Sequence, residues 1–190
     1  MLAAITVILM MGSTMAWFQD YKVVINTYTF GNLKVDIVDV EETTIAATTI
    51  QFVKPDGGVY QENEFLFEPG AKFKLKEFYI KNSGTVDLKY RLKLDASRAT
   101  GDIKLLDAMD IYAKMDGATF DLESETRTLA AGQTSAPVKI YFHMQESAGN
   151  EYNQANNLAV YGLIVKVVAV QNEGIPDDQL ESAFQEAAAG

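Results

Sequence analysis

A chain of 190 residues is long enough for one domain with a sizeable core, and no Pro/Gly/Ser-rich linker divides it. Apolar residues at 48% and charged residues at 22% exclude a disordered or collagen-like chain. With 26 acidic against 16 basic side chains the net charge is −10, a balance that repels phosphate and argues against nucleic acid as a partner. There is no cysteine, which excludes a disulfide framework, a thiolate nucleophile and a cysteine zinc site. The single histidine, His143, excludes a multi-histidine metal site within one chain.

Residues 2–18 carry no charge. As a helix this stretch would be about 25 Å long at ~1.5 Å per residue, short of a comfortable membrane crossing. Gly12 and Ser13 would weaken a helix, and Thr14 and Ala16 suit the −3 and −1 positions of a signal peptidase site. Residues 1–16 therefore read as a signal peptide cut between Ala16 and Trp17, although the basic residues usual at its start are missing. The rest is then secreted, to the extracellular matrix or cell surface, with no stable membrane span after processing. A retained anchor, or the hydrophobic stem by which a pilin packs into a filament, are the competing readings.

Residues 17–30, WFQDYKVVINTYTF, have high β-propensity and neither proline nor glycine. Trp17, Tyr21, Val23 and Ile25 share one face of an extended chain. The segment reads either as an ordinary first strand or as a strand given to another subunit by β-augmentation.

Over residues 31–171 the dominant period is two. Leu33, Val35 and Ile37 alternate with Lys34 and Asp36. Val86, Leu88, Tyr90, Leu92 and Leu94 alternate with Asp87, Lys89, Arg91 and Lys93. Val138, Ile140, Phe142 and Met144 alternate with Lys139, Tyr141 and His143. From Leu163 to Val170 the chain is apolar on both faces apart from Lys166, as in a central, covered strand. Asp56-Gly57-Gly58, Pro69-Gly70, Asn82-Ser83-Gly84 and Asp116-Gly117 are reversal signals. The apolar phase slips between Leu75 and Phe78, which is the sequence sign of a β-bulge. Helix is expected over 103–109 and, as an amphipathic acidic tail within 172–190, with Leu180, Phe184 and Ala187 at helical spacing. The pattern indicates an all-β fold, a two-sheet antiparallel sandwich with one short helix and a helical C-terminal tail.

Catalytic chemistry has no foothold in the sequence. His143 falls on the polar face of its strand with no motif around it. HExxH, G-x-S-x-G, phosphate-binding glycine loops and D-x-D-x-D-G calcium loops are absent. Asp36, Asp39, Glu41 and Glu42 could bind calcium loosely, but such a run usually marks a solvated strand end. Ser124 and Ser135 have no histidine that spacing assigns to them. No catalytic, cofactor-binding or metal residue is assigned, and the chain is not read as an enzyme.

Four stretches together resemble the TasA/camelysin family of secreted Gram-positive proteins. Thr14-Met15-Ala16-Trp17-Phe18-Gln19-Asp20 is similar to that family's aromatic Phe-x-Asp element after the cleavage site. Residues 26–35, NTYTFGNLKV, resemble its Asn…Phe-x-x-Gly-x-Leu pattern, one residue shorter before Gly31. Phe67-Glu68-Pro69-Gly70 and Phe78-Tyr79-Ile80-Lys81-Asn82-Ser83-Gly84-Thr85 resemble its Pro-Gly turn and Asn-x-Gly hairpin. Residues 144–152, with the strand ending Ala169-Val170-Gln171, resemble its closing Gly-Asn-x-Tyr and Ala-x-Gln elements. The likeness covers nearly all of residues 14–171; the acidic tail has no counterpart in it.

The resemblance implies a jelly-roll-like sandwich that polymerises with copies of itself, head to tail, into biofilm-matrix fibres. A signal peptidase of SipW type would process it, and the N-terminal strand would fill the next subunit's open sheet. Camelysin has been classed as a casein-cleaving metallopeptidase; no zinc motif here supports carrying that over, and it stands as the alternative from another functional class.

Overall fold

The structure is a computed structural model. It describes residues 4–10 (as backbone), 33–45, 52–54, 56, 58, 68–122, 124–149, 152, 160–161, 163–173 and 175–189. In chain order the strands are β1 (Ala4–Met10), β2 (Val35–Val38), β3 (Phe52–Val53), β4 (Lys72–Leu75), β5 (Tyr79–Asn82), β6 (Leu88–Asp95) and β7 (Thr100–Gly101). After the short helix α1 (Lys104–Asp107) come β8 (Met109–Met115), β9 (Ala118–Phe120), β10 (Arg127–Leu129), β11 (Lys139–Met144), β12 (Val160–Tyr161) and β13 (Ile164–Gln171). The chain ends in α2 (Leu180–Ala189).

The fold is an all-β antiparallel sandwich. One sheet has the order β1-β13-β6-β10 and the other β3-β4-β11-β8-β9, with β2-β5 and β12-β7 as two-stranded ladders. Period two decides what each strand buries. On β6, Leu88, Tyr90 and Leu92 are buried while Lys89 and Arg91 are half-exposed; Val86 and Leu94 pack on the margin of the same core. Leu33, Val35 and Ile37 join that core from the β2 side, and Val138, Ile140, Phe142 and Met144 from β11.

The Asp116-Gly117 reversal forms the two-residue hairpin between β8 and β9. Both residues have positive φ, 53° and 79°, the geometry whose twist matches that of the flanking strands. The expected β-bulge after Leu75 is present: β4 pairs with β11 as far as Lys74 opposite Tyr141, and pairing resumes at Phe78 opposite Val138, so three residues face two. Past the bulge the strand keeps pairing with the segment that leads into β11, while its other neighbour changes from β3 beside β4 to β2 beside β5. Leu75 and Phe78 are both fully buried on either side of the bulge, because the extra residue shifts the alternation by one.

One buried polar group ties three connections together. Asn82, fully buried at the end of β5, donates from Nδ2 to the carbonyls of Val86 and Leu129 at 2.8 and 3.0 Å. Its Oδ1 accepts the Gly84 N–H at 3.0 Å, and its backbone pairs with Gln133 and Gly132. The Asn-Ser-Gly reversal is thus also a cross-brace to β10.

Candidate functional site: the β13 edge and the C-terminal helix

β13 is eight residues long, IVKVVAVQ, and is covered on both faces by different layers. Val165, Val167 and Ala169 belong to the main core. Val168 and Val170, on the opposite face, form a second cluster with Ile175, Ala183, Phe184 and Ala187. The continuous apolar run therefore needs α2 as its outer cover. Leu180, Ala183, Phe184, Ala187 and Ala188 recur at helical spacing along α2 and meet the sheet, while Glu181, Gln185 and Glu186 stay in solvent.

Charge reinforces this docking. Arg91, on the outer face of β6, lies over the Phe184 ring at 4.4 Å and donates from Nη1 to Glu181 at 2.6 Å. The hydrogen bond and charge of Arg91 hold the Glu181 carboxyl below the usual carboxylate range. Next along the same face, Lys166 of β13 pairs with Asp95 of β6. Burial opposes ionisation of Asp95, but hydrogen bonds from Lys166 and Ser97 and the Lys166 charge hold its carboxyl at about 2.

In the plane of the sheet β13 lies between β6 and β1. The β1 ladder runs antiparallel from Ala4 opposite Val170 to Met10 opposite Ile164, with Val7 opposite Val167 at its centre. Helix α2 lies along β1 as well as β13. Residues 4–10, expected within a signal peptide, are among the described residues the outermost strand of the sheet.

The other sequence candidates are placed as follows. Ala16, Trp17, Tyr21, Val23 and Ile25, the cleavage site and the donor face, lie outside the described residues. His143 is half-buried on the outward face of β11, opposite Asp110 and Lys72 in the ladders. The acidic run does not converge. Asp36 pairs with Lys34, Asp39 Oδ1 accepts the N–H groups of Glu41 and Thr43, and Glu42 pairs with Lys81. Among the described residues no three His, Asp or Glu side chains gather as a metal site would require. Ser135 Oγ accepts the Ile80 N–H at 3.0 Å and donates to the Ala136 carbonyl, a structural role.

A second concavity lies beside β10, lined in part by Tyr90, Asp116, Glu125, Arg127 and Ser135. Arg127 Nη2 donates to Glu125 at 2.6 Å, and its guanidinium covers the Phe120 ring at 4.7 Å. Burial, opposed by Arg127 and assisted by Asp116 and Glu125, pushes the Tyr90 hydroxyl up to about 12. That hydroxyl stays protonated at neutral pH and is no general base.

Sequence reasoning found β13 and the tail helix separately but not their contact. The signal was the apolar outer-face pair Val168 and Val170, which demanded a cover without saying which one.

Compared with family models and with curated proteins, the chain finds no match. Among solved structures it is similar to the ASH/PapD-like domain of human CEP192 (PapD-like domain 7), at 17% identity over 67% of this chain and 72% of that one, with a TM-score of 0.30.

Proposed function

We propose that the protein is a secreted structural subunit that polymerises into extracellular matrix fibres, each copy completing a neighbour's sheet with its N-terminal strand. The observation that carries this reading is the composition of β13. It is a long strand, apolar on both faces, and the strand beside it comes from an apolar N-terminal segment of the chain. A sheet completed from the N terminus is chemically ready to be completed by another copy's N terminus, since backbone hydrogen bonds supply the affinity in both cases. The resemblance of residues 14–171 to secreted fibre-forming proteins supports the same reading.

Electron microscopy of the secreted form, beginning at Trp17, tests it: fibres are expected at neutral pH. Val23→Asp puts a carboxylate on the proposed donor face and is expected to leave a folded monomer that does not elongate. Fibres of unchanged morphology from Val23→Asp would mean that subunits stack through folded surfaces. Casein cleavage that a chelator abolishes would favour the metallopeptidase reading.

A further inference from the structure

The reading above leaves open where an incoming strand would seat. We infer that the acceptor is the slot between α2 and the core along the β13 edge, and that Ala4–Met10 of the same chain occupies it as an intramolecular cap. This rests on the fibre reading and adds to it the place of attachment and its control.

Edge-strand chemistry carries the argument. Among the described residues the sheet edges other than β1 are short: β10 and β9 have three residues each, β3 has two, and the strands of the two-stranded ladders have two or four. Short edges give another chain little to pair with. β13 is the opposite case, with eight residues, one charge and no proline. Without β1 its outward N–H and C=O groups would form an open, apolar template of the kind that recruits a further strand. The slot also has two ready walls. Val165, Val167 and Ala169 continue into the core on one side, and Phe184 and Ala187 of α2 stand over Val168 and Val170 on the other. α2 runs along β1 too, so the helix borders whatever strand sits there.

The occupant is a strand of a second copy, because the slot already accepts an apolar strand of this chain in antiparallel register over seven residues. Cap and incoming strand then compete for the same backbone groups. A tethered strand acts at an effective concentration on the order of mM, so at about 10 μM protein the cap outcompetes an equivalent strand in trans by roughly 100-fold. Losing the cap opens the slot; α2, the part of the chain with no counterpart in the resemblance, holds its outer wall.

The absence of cysteine makes the test direct. Val7 and Val167 are opposed at the centre of the ladder. Directly opposed antiparallel residues have Cα atoms roughly 4.5–5.5 Å apart, within disulfide range. Full-length Val7→Cys/Val167→Cys is oxidised and its assembly followed by light scattering and microscopy, beside the reduced form and beside full-length Val7→Asp, which destabilises the cap. The oxidised protein should stay monomeric, reduction should restore the unmodified rate, and Val7→Asp should assemble on the order of tenfold to a hundredfold faster. If the oxidised protein, with its disulfide verified by mass, assembles as fast as the reduced one, the acceptor lies elsewhere and the inference fails while the fibre reading stands. If Val7→Asp, the reduced form and the form beginning at Trp17 all stay monomeric, the fibre reading itself fails.

Discussion

Arg91 and Phe184 are 93 residues apart in the chain, and the Arg91 guanidinium lies 4.4 Å from the centre of the Phe184 ring. This contact, with the Arg91–Glu181 ion pair at 2.6 Å, is the polar part of the seam joining α2 to the sheet. Phe184→Ala removes the largest apolar group of a cluster separate from the main core. It should cost about 3 kcal/mol of α2 docking and leave the sandwich folded. Hydrogen exchange checks this: protection should fall over 180–189 and persist over β6 and β11. Arg91→Ala should cost about 1 kcal/mol, since Glu181 is largely in solvent.

Asn82 predicts a larger and global effect. Asn82→Ala leaves the buried Leu129 carbonyl and the part-buried Val86 carbonyl without their Asn82 donor, and leaves the Gly84 N–H with the Lys34 carbonyl alone. A loss of about 2–4 kcal/mol in chemical denaturation is expected, because unsatisfied buried groups keep their desolvation cost. Asn82→Asp should be no milder, since it retains the acceptor but offers two carbonyls a carboxylate.

Asp95 predicts the acid limb of stability. Its carboxyl titrates at about 2 when folded, against an ordinary value of 3.8. A depressed carboxylate pKa means that the unfolded chain takes up the proton first. The stabilisation is therefore complete above about pH 4 and is lost as pH falls toward 2, and it amounts to about 2 kcal/mol. Asp95→Asn should be less stable than the unmodified protein at pH 7 by about that amount, with the difference closing by pH 2. Denaturation midpoints at the two pH values measure it.

Net charge predicts the conditions for assembly. At −10 each copy repels the next, so the proposed fibre growth should accelerate with added salt and as pH falls toward the isoelectric point near 4.5. Light scattering between low and physiological ionic strength reads this out; growth indifferent to both variables would remove charge repulsion as the brake.

Local stereochemistry alone determined much of this protein. Alternation placed Leu88, Tyr90 and Leu92 inward, because successive side chains on a strand point to opposite faces. Asp116-Gly117 specified its hairpin through two positive φ angles, and Leu180, Phe184 and Ala187 marked a helical face through their spacing. Relations between distant segments were decided only by the tertiary structure. The phase slip after Leu75 announced the bulge but not that the strand changes its outer neighbour there from β3 to β2. The run at β13 announced that both its faces were covered but not that α2 covers one, nor that β1 and β6 flank it. Lys166 looked like an interruption until Asp95 appeared beside it. Backbone pairing and side-chain burial depend on which surfaces meet in space, and a single strand's pattern records only that it needs a partner.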